Sequence, residues 1–188
     1  MRIILVACIL ACFISCEKKI QQHVKKEFPT STEKVFIVSE EISESASLAS
    51  LIIETKGFKI NNEFSLTDID PVMEIKVTDL DNNGYDELYI VTQSAGSGSY
   101  ANVYGYASNQ DKSVTPIYIP EFTEKDFEEG ALFEAYKGHD TFVFESDRLI
   151  RYFPIYLNED INSEPVEYQE EVIYTLEKGE ASWQLKIK

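Results

Sequence analysis

The chain has little cysteine and little histidine. Its three cysteines, Cys8, Cys12 and Cys16, all fall within the first sixteen of 188 residues. Residues 17–188 therefore hold no thiol for a disulfide framework, a zinc site or a cysteine nucleophile. The two histidines are His23 and His139. Neither a phosphate-binding loop nor a dinucleotide fingerprint is present. Ser97, His139 and Asp140 supply the residue types of a hydrolase triad, but an adjacent His and Asp do not give the ordered geometry, and no Gly-x-Ser-x-Gly elbow is found. With 33 acidic residues, nothing singles out a glycosidase pair. No catalytic residue is assigned, and the protein is expected not to be an enzyme.

Positive charge is scarce as well. Against those 33 acids stand 17 lysines and arginines, for a net charge of −16. Such a surface repels nucleic acid and anionic membranes, so membrane attachment has to come from a lipid, and a basic protein partner would be steered towards it. A disulfide-free exported domain must be held by its core, for which 44% hydrophobic and 12% aromatic residues suffice.

Long apolar runs are limited to residues 3–14, which follow Arg2. Twelve residues suit the core of a secretion signal and are too few for an ordinary membrane-spanning helix. The run ends in Phe13-Ile14-Ser15-Cys16, which resembles a bacterial lipobox. An ordinary signal peptide is the alternative. Residues 1–15 are thus expected to be a lipoprotein signal peptide, with Cys16 lipidated. Residues 16–32, polar, locally basic and ending in a Pro/Ser/Thr cluster, are expected to be a flexible tether with His23 a solvated linker residue. Residues 33–188 form the domain. Glu17 is not the usual inner-membrane retention residue, so the expected location is the outer membrane, facing the periplasm or the cell surface.

Within the domain, short apolar or alternating runs recur at 35–38, 48–55, 72–78, 87–92, 100–107, 114–119, 141–145, 149–153, 166–176 and 183–187. Turn signals separate many of them, Asn82-Asn83-Gly84 and Lys178-Gly179 among the clearest. This pattern predicts an all-β fold, an antiparallel β-sandwich or a partly closed barrel, with at most one short helix. Residues 43–53 are ambiguous, because Leu48, Leu51 and Ile52 have helical spacing in a Ser-rich, β-branched stretch. Residues 123–129 open with a Thr-x-x-Asp cap pattern and are compatible with one helical turn.

Two short stretches carry the functional signal. The first, Asp79-Leu80-Asp81-Asn82-Asn83-Gly84-Tyr85-Asp86-Glu87, places oxygen side chains at positions 1, 3, 5 and 9 and glycine at 6, as calcium loops do. Ile90 stands at position 12, where an EF-hand needs a bidentate Glu, which excludes that motif. Two readings stay open: a single calcium loop using Asp79, Asp81, Asn83 and Glu87, or an Asx-stabilised hairpin turn. No cofactor is required; calcium is the one cofactor the turn suggests. The second stretch, Gln93-Ser94-Ala95-Gly96-Ser97-Gly98-Ser99-Tyr100, is dense in serine and glycine between two strand signals. Gly96 and Gly98 are expected there to supply positive φ or close backbone approach.

Residues 77–88 (VTDLDNNGYDEL) and 92–100 (TQSAGSGSY) resemble the periplasmic inhibitors of invertebrate-type (i-type) lysozyme. Gly138-His139-Asp140, residues 149–156 (LIRYFPIY) and 178–183 (KGEASW) look like that family in the same order, so the similarity spans about residues 33–188. The resemblance implies an antiparallel β-sandwich whose Ser-Gly loop enters a lysozyme active-site cleft. The binding loop would be Ser94, Gly96, Ser97, Gly98, Ser99 and Tyr100, with Ser97 and Tyr100 inserted. After Tyr156 the family tends to a Gly/Thr-rich loop, whereas residues 158–165 here are acidic. The expected partner is lysozyme, of i-type by resemblance, with no nucleic acid and the membrane reached only through lipid. Monomer and homodimer both stay open. The rival reading is a calcium-stabilised β-rich module that binds a glycan or a surface protein.

Overall fold

The computed structural model describes residues 23–41, 47–134, 136–156 and 169–188. The expected signal peptide, Cys16, the start of the tether and the acidic stretch 158–165 lie outside the described residues. Among the described residues, twelve strands form three four-stranded sheets, each a run of consecutive antiparallel strands. The first holds β1 (His23–Pro29), β2 (Val35–Glu41), β3 (Ala49–Lys56) and β4 (Glu63–Ile69). The second holds β5 (Val72–Thr78), β6 (Glu87–Gln93), β7 (Ala101–Ser108) and β8 (Val114–Pro116). The third holds β9 (Thr141–Phe144), β10 (Leu149–Pro154), β11 (Gln169–Lys178) and β12 (Trp183–Ile187). The expected all-β, antiparallel class is what the chain adopts. None of the sheets closes into a barrel.

The expected sandwich is built of three sheets, and its middle sheet is buried on both faces. Successive residues of a strand point to opposite faces, and β6 is buried from Glu87 through Thr92. Leu88 and Ile90 pack into a cluster with Phe36, Val38, Leu51 and Ile53 of the first sheet. Tyr89 and Val91 pack into a second cluster with Leu149, Phe153, Val172 and Leu185 of the third. A strand covered on both sides needs an apolar run rather than alternation. In the first sheet, β3 alternates buried and half-buried positions, with Leu51 and Ile53 turned to the middle sheet. That alternation settles the helical spacing at 48–52 in favour of a strand for residues 49–56.

Strand β1 lies inside the segment expected to be tether. It pairs along its length with β2, from His23↔Glu41 to Pro29↔Val35, so residues 23–32 belong to the fold and not to a tether. Its side chains from Val24 to Glu27 are exposed, which is why the sequence looks like linker: backbone pairing, not burial, holds this edge strand. The cap pattern at Thr123 does open a single 3-10 turn, Glu124–Phe127, with the Thr123 amide donating to Asp126 Oδ2 at 2.6 Å. Among the described residues no helix is long and apolar enough to cross a membrane.

Candidate functional site: the β6–β7 loop

Strands β6 and β7 pair up to Gln93↔Ala101, and the chain between them turns within seven residues. The Ser94 amide donates to the Tyr100 carbonyl at 2.8 Å, and the Tyr100 amide donates to Ser94 Oγ at 3.0 Å. Across the tip, the Ser99 amide donates to the Gly96 carbonyl at 3.0 Å. Ala95, Gly96 and Ser97 are exposed, while Gly98 and Ser99 are half-buried. The serines thus divide their work. Ser94 and Ser99 close the loop, and Ser97 presents its hydroxyl at the tip.

The glycines meet the sequence expectation of close approach, at Gly98, but not that of positive φ. Neither Gly96 nor Gly98 has positive φ; Ser99 takes the left-handed conformation, at φ 42°. Gly98 is required by close approach, because a Cβ there would run into the Tyr100 ring. Tyr100 therefore folds back over Gly98, 47% exposed, with its ring centroid 5.8 Å from that of Tyr136 in an edge-to-face contact.

A second loop, residues 136–140, braces the first. The His139 amide donates to the Gly98 carbonyl at 2.7 Å, and Gln93 Nε2 donates to the Ser99 carbonyl at 3.1 Å. Gly138, at φ 87°, has no room for a side chain: its Cβ position is taken by the Gly98 carbonyl. At the base, Asp140 is 2% exposed. It accepts from the Ala101 amide at 2.8 Å, from Tyr136 Oη at 2.8 Å, and from Arg151 Nε and Nη2 at 3.2 and 3.0 Å. The Arg151 guanidinium lies 4.6 Å from the Phe122 ring centroid and 5.0 Å from that of Tyr136. Burial opposes its charge, but the bonds and charge of Asp140 outweigh this and raise its pKa. The Tyr136 hydroxyl is pushed up by burial and by Asp140.

The structure thus brings together the 94–100 loop, Gly138-His139-Asp140 and residues of 149–156, three segments far apart in sequence. It does not assemble a triad: Asp140 directs both oxygens to Ala101, Tyr136 and Arg151. Arg151, Tyr136 and Gln93 were not foreseen as site residues. The signal for Arg151 was its position between Leu149 and Phe153, two inward residues of the same strand face, where a charge must find a buried partner.

At the far end of β6 lies the acidic turn. Asp79 accepts from the amides of Asn83 (2.9 Å) and Gly84 (2.7 Å), and Asp81 accepts from the Asn83 amide at 3.1 Å. Asn83 is a brace: its Nδ2 donates to Asp81 Oδ2 and its Oδ1 accepts from the Tyr85 amide. Carboxylate oxygens of Asp79, Asp81 and Glu87 lie within 4.8 Å of one another. Glu87 is fully buried, with Oε2 accepting from the Leu80 amide at 2.8 Å. Burial, then the charges of Asp81, Asp79 and Asp86, push its carboxyl up to about 9.

Comparison with protein-family models, curated proteins and solved structures gives no match for this chain.

Proposed function

We propose that this protein is a lysozyme inhibitor that inserts the 94–100 loop into the enzyme's active-site cleft and so protects cell-wall peptidoglycan. The observation that supports this most is the combination of an exposed tip with an over-determined base. Ser97 is exposed at the tip, while the loop's carbonyls at 98, 99 and 100 are all engaged within the protein. A loop already held in one shape loses little entropy on binding. Hydroxyl groups can bond to cleft carboxyls without carrying in a charge that would need desolvation. Tyr100 offers a half-exposed aromatic face of the kind that contributes disproportionately at interfaces.

The resemblance in sequence points to the i-type enzyme. A net charge of −16 favours capture of a positively charged lysozyme, with association weakened by salt. The decisive experiment is a cell-wall clearing assay with purified protein and i-type, chicken-type and goose-type lysozymes. Inhibition of the i-type enzyme is expected, and inhibition of none of the three would end this reading.

We also propose that Cys16 carries lipid and holds the domain at the outer membrane. Cys16→Ser should move the protein from the membrane fraction to the soluble fraction; unchanged membrane association would remove the lipid anchor from the picture.

A further inference from the structure

The acidic turn at the far end of β6 has features that hairpin geometry alone does not explain. Asp79, Asp81 and Glu87 bring carboxylate oxygens within 4.8 Å of one another. Two oxygens bound to one calcium ion at about 2.4 Å can lie no farther apart than this. Among the described residues, none of the ion pairs formed by lysine or arginine reaches these three acids.

A second observation comes from the interior. Glu87 Oε1 and the Tyr89 hydroxyl are both buried and find no partner of hydrogen-bond geometry among the described residues. Both residues are 0% exposed. A fully buried oxygen without a donor, beside two more carboxyl groups, is unfavourable unless a proton or a cation satisfies it.

We propose that Asp79, Asp81 and Glu87 form a binding site for one hard divalent cation, calcium, that pins the β5–β6 turn. The donors are all carboxylate oxygens, which suit hard cations. The two aspartates sit in an irregular turn bent through Asn82 (φ 56°) and Gly84 (φ 87°), and calcium tolerates irregular coordination better than magnesium does.

The turn is also tied to its surroundings. Asn82 Nδ2 donates to the Ser146 carbonyl between β9 and β10 at 3.0 Å, and the Ser31 amide between β1 and β2 donates to Asp86 at 2.5 Å. A cation here therefore braces a junction of all three sheets. The seven residues of β6 separate it from the 94–100 loop by roughly 20 Å, so the cation stabilises the fold without touching the loop.

The test uses purified protein stripped with EDTA, dialysed and returned to calcium chloride, followed by calorimetry and thermal melting. One calcium ion should bind per chain, and the melting temperature should rise by about 5–10 °C at calcium 100-fold above its dissociation constant. Asp81→Asn, at a partly exposed turn position, should lower calcium affinity at least tenfold while the metal-free melting temperature stays within about 2 °C of the parent. Glu87→Gln, which keeps an acceptor for the Leu80 amide, should also lose the calcium response. No binding and no shift at 10-millimolar-scale calcium, or a calcium response unchanged in both variants, would overturn the site. Ser97→Ala should keep the full calcium response, so failure of this site and failure of the lysozyme reading are separate results.

Discussion

At the scale of single residues, the Arg151–Asp140 pair decides whether the loop has a fixed base. Both partners are almost fully buried, with side-chain exposures of 7% and 0%. Such a pair is no cheap source of stability, because two charges have left water. Its effect is positional: Asp140 holds the first amide of β7, and Arg151 Nη2 also donates to Tyr136 Oη at 2.6 Å. Arg151→Met fills similar volume but leaves the Asp140 carboxylate without its cation. The expected cost is about 3–5 kcal/mol of folding free energy, read as a lower urea midpoint. A second change, Asp140→Leu in the same chain, should recover part of that loss. A cost under 1 kcal/mol for Arg151→Met would mean that the pair does not anchor the loop.

At the scale of elements, the strands differ in what holds them. Strand β6 is covered on both faces, whereas β1 is an exposed edge held by pairing to β2. Amide hydrogen exchange should therefore be slowest along residues 88–92 and orders of magnitude faster along 24–27. Equal protection would contradict the stacking of three sheets.

The same contrast explains what the sequence could and could not reveal. Runs at 72–78 and 183–187 coincide with β5 and β12 because apolar patterning and turn residues mark both ends. Strand β1 escaped because charged residues, Lys25 to Glu27, fill most of its exposed length, and β4 because Phe64 and Leu66 are its only regular alternation before Asp68 turns to φ 54°. The number of layers was written in the unbroken apolar run Leu88-Tyr89-Ile90-Val91, which alternation-based reading treats as one more strand. The candidate loop was legible in the Ser-Gly run between two strand signals, with Ser97 exposed at its tip. Its base was not, since nothing local in sequence brings Arg151 and Asp140 under Ala101.

At the scale of the whole molecule, the two sequence signals occupy opposite ends of one buried strand. The acidic turn gathers carboxylates where three sheets meet, and the Ser-Gly loop projects from the other end. On the proposed reading, this separation would let one end serve stability and the other recognition, on a surface whose acidity would favour a basic partner. The lysozyme reading rests most on the loop tip, so the most direct measurement is the affinity of purified protein for i-type lysozyme, by calorimetry, for the parent and for Ser97→Ala combined with Tyr100→Ala. The parent should bind and inhibit, the double variant should lose at least about 100-fold in affinity, and the thermal midpoints should stay within a few degrees of each other. Parent-like affinity in the double variant, with the fold intact, would contradict insertion of this loop.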